Sequence, residues 1–365
     1  MAETNIPTTR AECEALDRDD PLAPAREAFA LPEGVIYLDG HSLGPATHAA
    51  LARVEKAARE EWAGGLIRSW NDAGWIDLPR AVGAKLARLV GAKPEDVIVC
   101  DSVSVNLFKL ASAALPLARR RTIVVEASEF PTDQYVAEGI AANGAAEMLR
   151  AGEEQGAEVL ARQGGGVLIK SVVNYRTGRV TDVAEHEASV TANGGLIVWD
   201  LSHATGVIDL QLGADGAKLG TGCTYKFVNG GPGAPAFVYV RNDLAAKMRS
   251  PIAGWFGHAD PFAFASGYAP KEGVARFAAG TPGVLSLSAL DAATDEPPLP
   301  AAGFEQRLWS RFEQRVDEAH QPVRAPSLVD RLRSLFRSMP GQRLVLAGGF
   351  ACALLIALGV GFQVG

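Results

Sequence analysis

Cysteine is scarce in this chain: four among 365 residues, at positions 13, 100, 223 and 352. They are far apart and form no Cys-x-x-Cys or other ligand spacing, so no metal centre or disulfide framework is expected, and free thiols in a reducing compartment are. Positive charge is short as well, since 35 Lys and Arg against 42 Asp and Glu leave a net charge of −7. That balance argues against a duplex nucleic-acid partner. The first residues have neither a basic n-region nor an apolar h-region, so a secretory signal is not expected. There is no internal repeat and no low-complexity block.

What the sequence does have is length for one large α/β core with room for a second unit. Short apolar runs at Val35–Leu38, Val97–Cys100, Thr122–Val125, Val167–Ile169, Leu196–Trp199 and Ala236–Val240 read as strands. Helical patterns at Ala49–Trp62 and Ala81–Val90, and a helix opened by Asp101–Asn106, lie between them. Ala11–Ala28 reads as two short helical pieces parted by prolines. The strand-turn-helix alternation predicts a mainly parallel sheet with helices on both faces.

One long uncharged run, Leu344–Phe362, is long enough as a helix to cross a membrane, and Arg324, Arg331, Arg333, Arg337 and Arg343 precede it. The pattern predicts a tail anchor in the inner or plasma membrane with the large domain in the cytoplasm. Before it, Glu296–Pro300 reads as a stiff linker and Phe304–Ala319 as a charged helix, so a boundary falls near Asp295.

The stretch that organises the rest is Trp199-Asp200-Leu201-Ser202-His203, closing on Tyr225-Lys226. In open α/β sheets ligands sit beyond the carboxyl ends of strands, which is where Asp200 and His203 fall. An acid at a strand end, a nearby histidine and a lysine in a small-residue turn suit pyridoxal phosphate (PLP). The lysine holds the cofactor aldehyde as a Schiff base and the carboxylate keeps the pyridine nitrogen protonated. A capping acid, a satisfied core histidine and a solvated lysine would give the same letters. Ser102 and Ser104, with free N–H groups at a helix start, could cradle a phosphate or serve as an ordinary cap. Phe130 at a strand end could stack on a planar ring or belong to the core. His41 and Ser42 stand in a turn-rich loop that could line a substrate pocket or bind nothing.

Residues from about 30 to 293 closely resemble kynureninase, a PLP enzyme of the aspartate aminotransferase fold (fold type I). The resemblance is carried by Tyr37-Leu38-Asp39-Gly40-His41-Ser42-Leu43-Gly44, Asp101-Ser102-Val103-Ser104-Val105-Asn106-Leu107, Phe130-Pro131-Thr132-Asp133-Gln134-Tyr135, Trp199 to His203, Tyr225-Lys226, Asn229-Gly230-Gly231-Pro232-Gly233 and Phe277-Ala278-Ala279-Gly280-Thr281-Pro282. It implies a PLP-binding large domain over 31–294; the sequence pattern adds an arm over 1–30, a linker and charged helix over 295–343 and a membrane helix over 344–362.

It further implies that Lys226 is the Schiff-base lysine, Asp200 the partner of the pyridinium nitrogen, Phe130 the ring stacked on the cofactor and His203 a neighbour beside it. Val103, Ser104, Asp133 and Tyr225 fall where the family holds the phosphate and its surroundings. Trp255 and Thr281 are implied to reach the phosphate across a homodimer interface. The family reaction is hydrolysis of L-kynurenine to anthranilate and L-alanine in tryptophan degradation, with Tyr225 as the expected proton donor. Whether 3-hydroxykynurenine is also a substrate is left open by the residues.

The family pattern fades after Leu290–Ala293, before the smaller C-terminal domain that supplies an arginine for the substrate carboxylate. None of Arg307, Arg311, Arg315 or Arg324 matches that clamp. A truncated or fused product that binds PLP with little turnover is therefore the competing expectation. Another PLP reaction on a smaller amine, such as cysteine desulfuration, is a third, on fold analogy alone.

Overall fold

The computed structural model describes residues 8–18, 20 and 22–295. The order of elements is α1 (Arg10–Arg18), α2 (His48–Lys56), α3 (Ser69–Asp72), α4 (Leu78–Leu89), β1 (Val97–Val99), α5 (Val103–Ala114), β2 (Thr122–Glu126), α6 (Pro131–Ala142) and β3 (Glu147–Ala151). It continues with α7 (Gly156–Gln163), β4 (Gly166–Ser171), α8 (Val183–Ala192), β5 (Gly195–Asp200), β6 (Leu219–Gly222), β7 (Phe237–Val240), α9 (Asn242–Ala245) and α10 (Val284–Ala293).

The strands form one sheet in the order β1-β7-β6-β5-β4-β2-β3. All pairs are parallel except those made by β7, which runs against β1 and β6, so the sheet is mixed. The central strands are apolar through their length because both faces are covered. Leu168, Ile197 and Trp199 face a layer built by α4, α7, α8 and α10, whereas Val167, Ile169 and Val198 face α5 and α6. Each fully buried side chain of this kind contributes about 1.5–3 kcal/mol, so the middle of the sheet is the most strongly held part.

Several expectations need correction. Val35–Leu38 is not a strand: it pairs with nothing, and Ile36 and Leu38 are 82% and 84% exposed. An apolar run forms a strand only where a neighbour offers a ladder, and none lies beside it. The helix expected over Ala49–Trp62 is α2 continued by a wider-wound stretch over Ala57–Gly65. Two strands escaped the sequence reading. β3 is an edge strand with charged residues, and β6 reads Leu-Gly-Thr-Gly, which has too little apolar surface to stand out. Among the described residues no helix is long and apolar enough to cross a membrane. The span at 344–362, the charged helix at 304–319 and the linker before it lie outside the described residues.

The topology brings the carboxyl ends of β2, β4 and β5 side by side. Ser171, the last residue of β4, stands level with Asp200, the last of β5.

Candidate active site

Asp200 ends β5 almost fully buried, and the backbone N–H of Ser202 donates to its Oδ1 at 2.8 Å. Two residues on, the chain turns and presents His203. The strand β6 then leads into Cys223-Thr224-Tyr225-Lys226, and Lys226 Nζ lies 2.6 Å from His203 Nε2. The histidine is held well below its ordinary value, at about 4, by burial first and then by the Lys226 and His41 charges. It is therefore a neutral imidazole whose Nε2 accepts from the Lys226 ammonium.

The lysine is fixed from above by the loop Asp39–Gly44. Gly44 N–H donates to the Tyr225 carbonyl at 2.8 Å. A Cβ on Gly44 would lie 2.0 Å from the Lys226 carbonyl oxygen and 2.3 Å from Asn229 Oδ1, so only glycine allows this approach. His41 in that loop pairs with Asp39 at 3.1 Å, and Ser42 is exposed beside it.

Asp133, in the first turn of α6, is buried with neither carboxyl oxygen hydrogen-bonded. Burial, with the Asp200 and Glu129 charges behind it, pushes its carboxyl well above the usual range. Burial raises Asp200 also, against the Ser202 hydrogen bonds and the Lys226 charge. Two buried acids with so little cationic compensation are costly. A protonated pyridine nitrogen at Asp200 would supply the missing charge, so the donor set fits PLP.

The start of α5 could hold the phosphate of such a cofactor. α5 begins at Val103, and Ser102 caps it by accepting from Val105 N–H at 3.4 Å. The N–H groups of Val103 and Ser104 belong to the first turn, where backbone donors and the helix dipole favour an anion. Lys109, fully buried, ties the preceding turn in place through Asp101 at 2.5 Å and the Phe277 carbonyl at 2.7 Å. The Phe277 contact links it to the segment carrying Thr281. Thr281 accepts from Trp255 Nε1 at 3.3 Å, and a cavity of about 380 Å³ lined by Asp101, Ser102, Tyr225 and Thr281 adjoins it. Phe130 leads α6 half-exposed, its ring edge-on to Tyr175 at 5.2 Å.

No family model matches the chain. Full-length comparison does find relatives: a kynureninase of Pseudomonas fluorescens is 46% identical over 300 residues, covering 79% of this chain and 71% of that protein. A kynureninase of Burkholderia mallei is 44% identical over 303 residues with the same coverage. The chain belongs to the kynureninase family. Kynureninases are PLP-dependent hydrolases, and PLP is the cofactor that this family membership assigns.

Solved structures agree on the fold. The cysteine desulfurase CsdA of Escherichia coli superposes with a TM-score of 0.64 at 18% identity, covering 82% of this chain and 77% of that one. A C-DES variant with glycine covalently linked to its PLP cofactor gives 0.65 at 18% identity, covering 80% and 77%. At such identity they show the fold-type-I architecture and nothing of the reaction.

The kynureninase motifs thus converge: Asp200, His203, Tyr225, Lys226 and the 39–44 loop meet at the carboxyl ends of β5 and β6. The sequence reading quoted Ser202 and Asn229 within its motifs but gave them no holding role, and it missed Lys109 and the buried charges around Lys170. A lysine inside the apolar run Leu168-Ile169-Lys170 was the one visible signal of the last group.

Proposed function

We propose that this kynureninase-family chain hydrolyses L-kynurenine to anthranilate and L-alanine, with 3-hydroxykynurenine as a second substrate of the same chemistry. The observation that carries the reading is the Lys226–His203 contact at 2.6 Å above two buried acids, Asp200 and Asp133, on a chain with kynureninase relatives. In this reading Lys226 holds the cofactor aldehyde, Asp200 its ring nitrogen and Phe130 its face. Val103 and Ser104 hold its phosphate, and Asp133 and His203 flank it. PLP, when bound, supplies an aldehyde that captures the substrate amine and a ring that draws electrons from the substrate Cα.

The chain's own groups then move the protons. With the cofactor in place, Lys226 Nζ would take the Cα proton, and neutral His203, 2.6 Å from it, would keep the lysine amine aimed. Water adds at the γ-carbonyl, the Cβ–Cγ bond breaks, and the acyl part leaves as anthranilate. The alanine carbon takes a proton from Tyr225, whose hydroxyl is pushed up to about 12, chiefly by burial, and so stays protonated near neutrality. His41 and Ser42 sit at the loop that faces the incoming substrate.

A homodimer is part of the reading. The exposed apolar residues Ile36, Leu38, Phe262 and Phe264 suit a second copy; Thr281, with Trp255 hydrogen-bonded to it, borders this chain's own cavity, and in the dimer reading the pair would also reach the neighbour's phosphate. The cytoplasm, with its reducing conditions, is the compartment that the separated thiols favour.

A second reading, PLP binding with little turnover, draws on one fact: the alignment takes in 71% of the relatives' length. Anthranilate release from L-kynurenine by PLP-supplemented protein, with Lys226→Ala as the blank, separates the two. Lysine-dependent release supports hydrolysis, and PLP binding without release supports the second reading.

A further inference from the structure

Behind the cofactor residues lies a second group of buried charge that the proposed reaction does not use. Lys170, 1% exposed on β4, reaches Glu126 Oε2 at 3.0 Å, Glu154 at 3.6 Å and Glu129 Oε1 at 3.9 Å. Glu126 is saturated, since it also accepts from the N–H groups of Glu154 and Gly156, both at 3.0 Å. Glu154 leans outward and meets Arg179 at 3.5 Å. Glu129 differs from both. Its Oε2 accepts from the Ser171 N–H at 3.1 Å, which pins it to the end of β4, level with Asp200 on β5. On its other side is Asp133, whose oxygens have no partner of their own and which senses the Glu129 charge directly.

The charged groups around Glu129 are therefore Lys170 from β4, whose ammonium Glu126 at the end of β2 and Glu154 before α7 share, and Asp133 from α6, which feels the charges of Glu129 and Asp200. Lys170 and Asp200 sit on adjacent strands, and Glu129 reaches the first directly and, through Ser171, stands level with the second. A structural ion pair would be complete with Lys170 and Glu126 alone.

We infer that Glu129, fixed by Ser171 and Lys170, is a positioning residue that sets the charge behind Asp133 and Asp200 and thereby tunes the protonation of the lysine-linked cofactor. The inference rests on the PLP reading above. Glu129 is half-committed to either charge state, because burial raises its carboxyl to about 7 against the pull of Ser171 and Lys170. A negative charge at Glu129 favours a protonated cofactor, and a positive charge at Lys170 opposes it.

The test uses the full chain reconstituted with PLP and follows the visible absorbance of lysine-linked PLP as a function of pH. Glu129→Gln keeps an oxygen for Ser171 and removes the charge. It is expected to lower the pH midpoint by roughly one pH unit, about what removing a unit charge at moderate range in a protein interior gives. Lys170→Met is expected to raise the midpoint. Opposite signs are what a purely structural role would not give, since loss of packing would weaken PLP retention in both. A Glu129→Gln midpoint that coincides with the parent's overturns the inference by itself, even where Lys170→Met fails to fold. Absence of any Lys226-dependent absorbance in the parent overturns the PLP reading as well, so the two failures are told apart.

Discussion

Two groups of buried charge stand side by side at the carboxyl ends of β2, β4 and β5, and they are finished differently. Around Lys170 two of the carboxylates are compensated within the chain: Glu126 takes the ammonium and two backbone N–H groups, and Glu154 adds Arg179. Around Asp200 they are not. Asp133 has no hydrogen-bond partner, and the Lys226 ammonium is engaged by a neutral histidine rather than a carboxylate. A group that satisfies itself holds the fold, whereas one left short of a cation is prepared for something that brings one. In the proposed reading that cation is the protonated ring nitrogen of PLP.

The comparison can be broken from either side. Lys170→Met leaves Glu126, Glu129 and Glu154 without their shared cation. Breaking a buried pair by removing one partner costs about 3–5 kcal/mol, so a large fall in melting temperature is expected. Asp200→Asn should do the opposite kind of damage: thermal stability equal to or above the parent's, with anthranilate release down by roughly a hundredfold or more. If Asp200→Asn destabilised the fold as much as Lys170→Met, the division between the two groups would fail.

Gly44→Ala tests the loop above the lysine. Its Cβ would meet the Lys226 carbonyl oxygen at 2.0 Å, a clash with backbone that only movement of the loop or the lysine turn relieves. A loss of about 1–3 kcal/mol in stability is expected, together with weaker PLP retention, read by dialysis and absorbance.

A narrower test, confined to one pH window, is the pH dependence of Glu129→Gln. The Glu129 carboxyl is raised from 4.5 to about 7, chiefly by burial. A group raised in the folded state contributes its stability in full below its unfolded value and loses it as pH rises through the folded value. The parent should therefore lose stability between about pH 4.5 and 7 relative to Glu129→Gln, by on the order of 3 kcal/mol at most. Melting temperatures of the two chains across that range check it, and parallel curves would contradict it.

Much of this was legible in the sequence. The runs that became β1, β2, β4, β5 and β7 are apolar because the sheet buries both of their faces, and the motif residues fell at strand ends as the α/β rule requires. Other features depend on partners far away in the chain. Val35–Leu38 has the letters of a strand without a neighbouring ladder, and β6 is a strand only because β5 and β7 flank it. Lys170 carried a trace, being a charge inside an apolar run, but its partners Glu126 and Glu154 come from the end of β2 and the turn before α7. The empty valence at Asp133 is invisible from sequence, since an aspartate in the first turn of a helix usually faces water.

The central claim is that Lys226 is the residue that carries PLP. Reduction of PLP-loaded protein with borohydride, followed by peptide mass analysis, tests it most directly. A phosphopyridoxyl mass on the peptide containing Lys226, lost in Lys226→Ala, is the expected result. The same mass on another lysine, or none on any, would contradict the account.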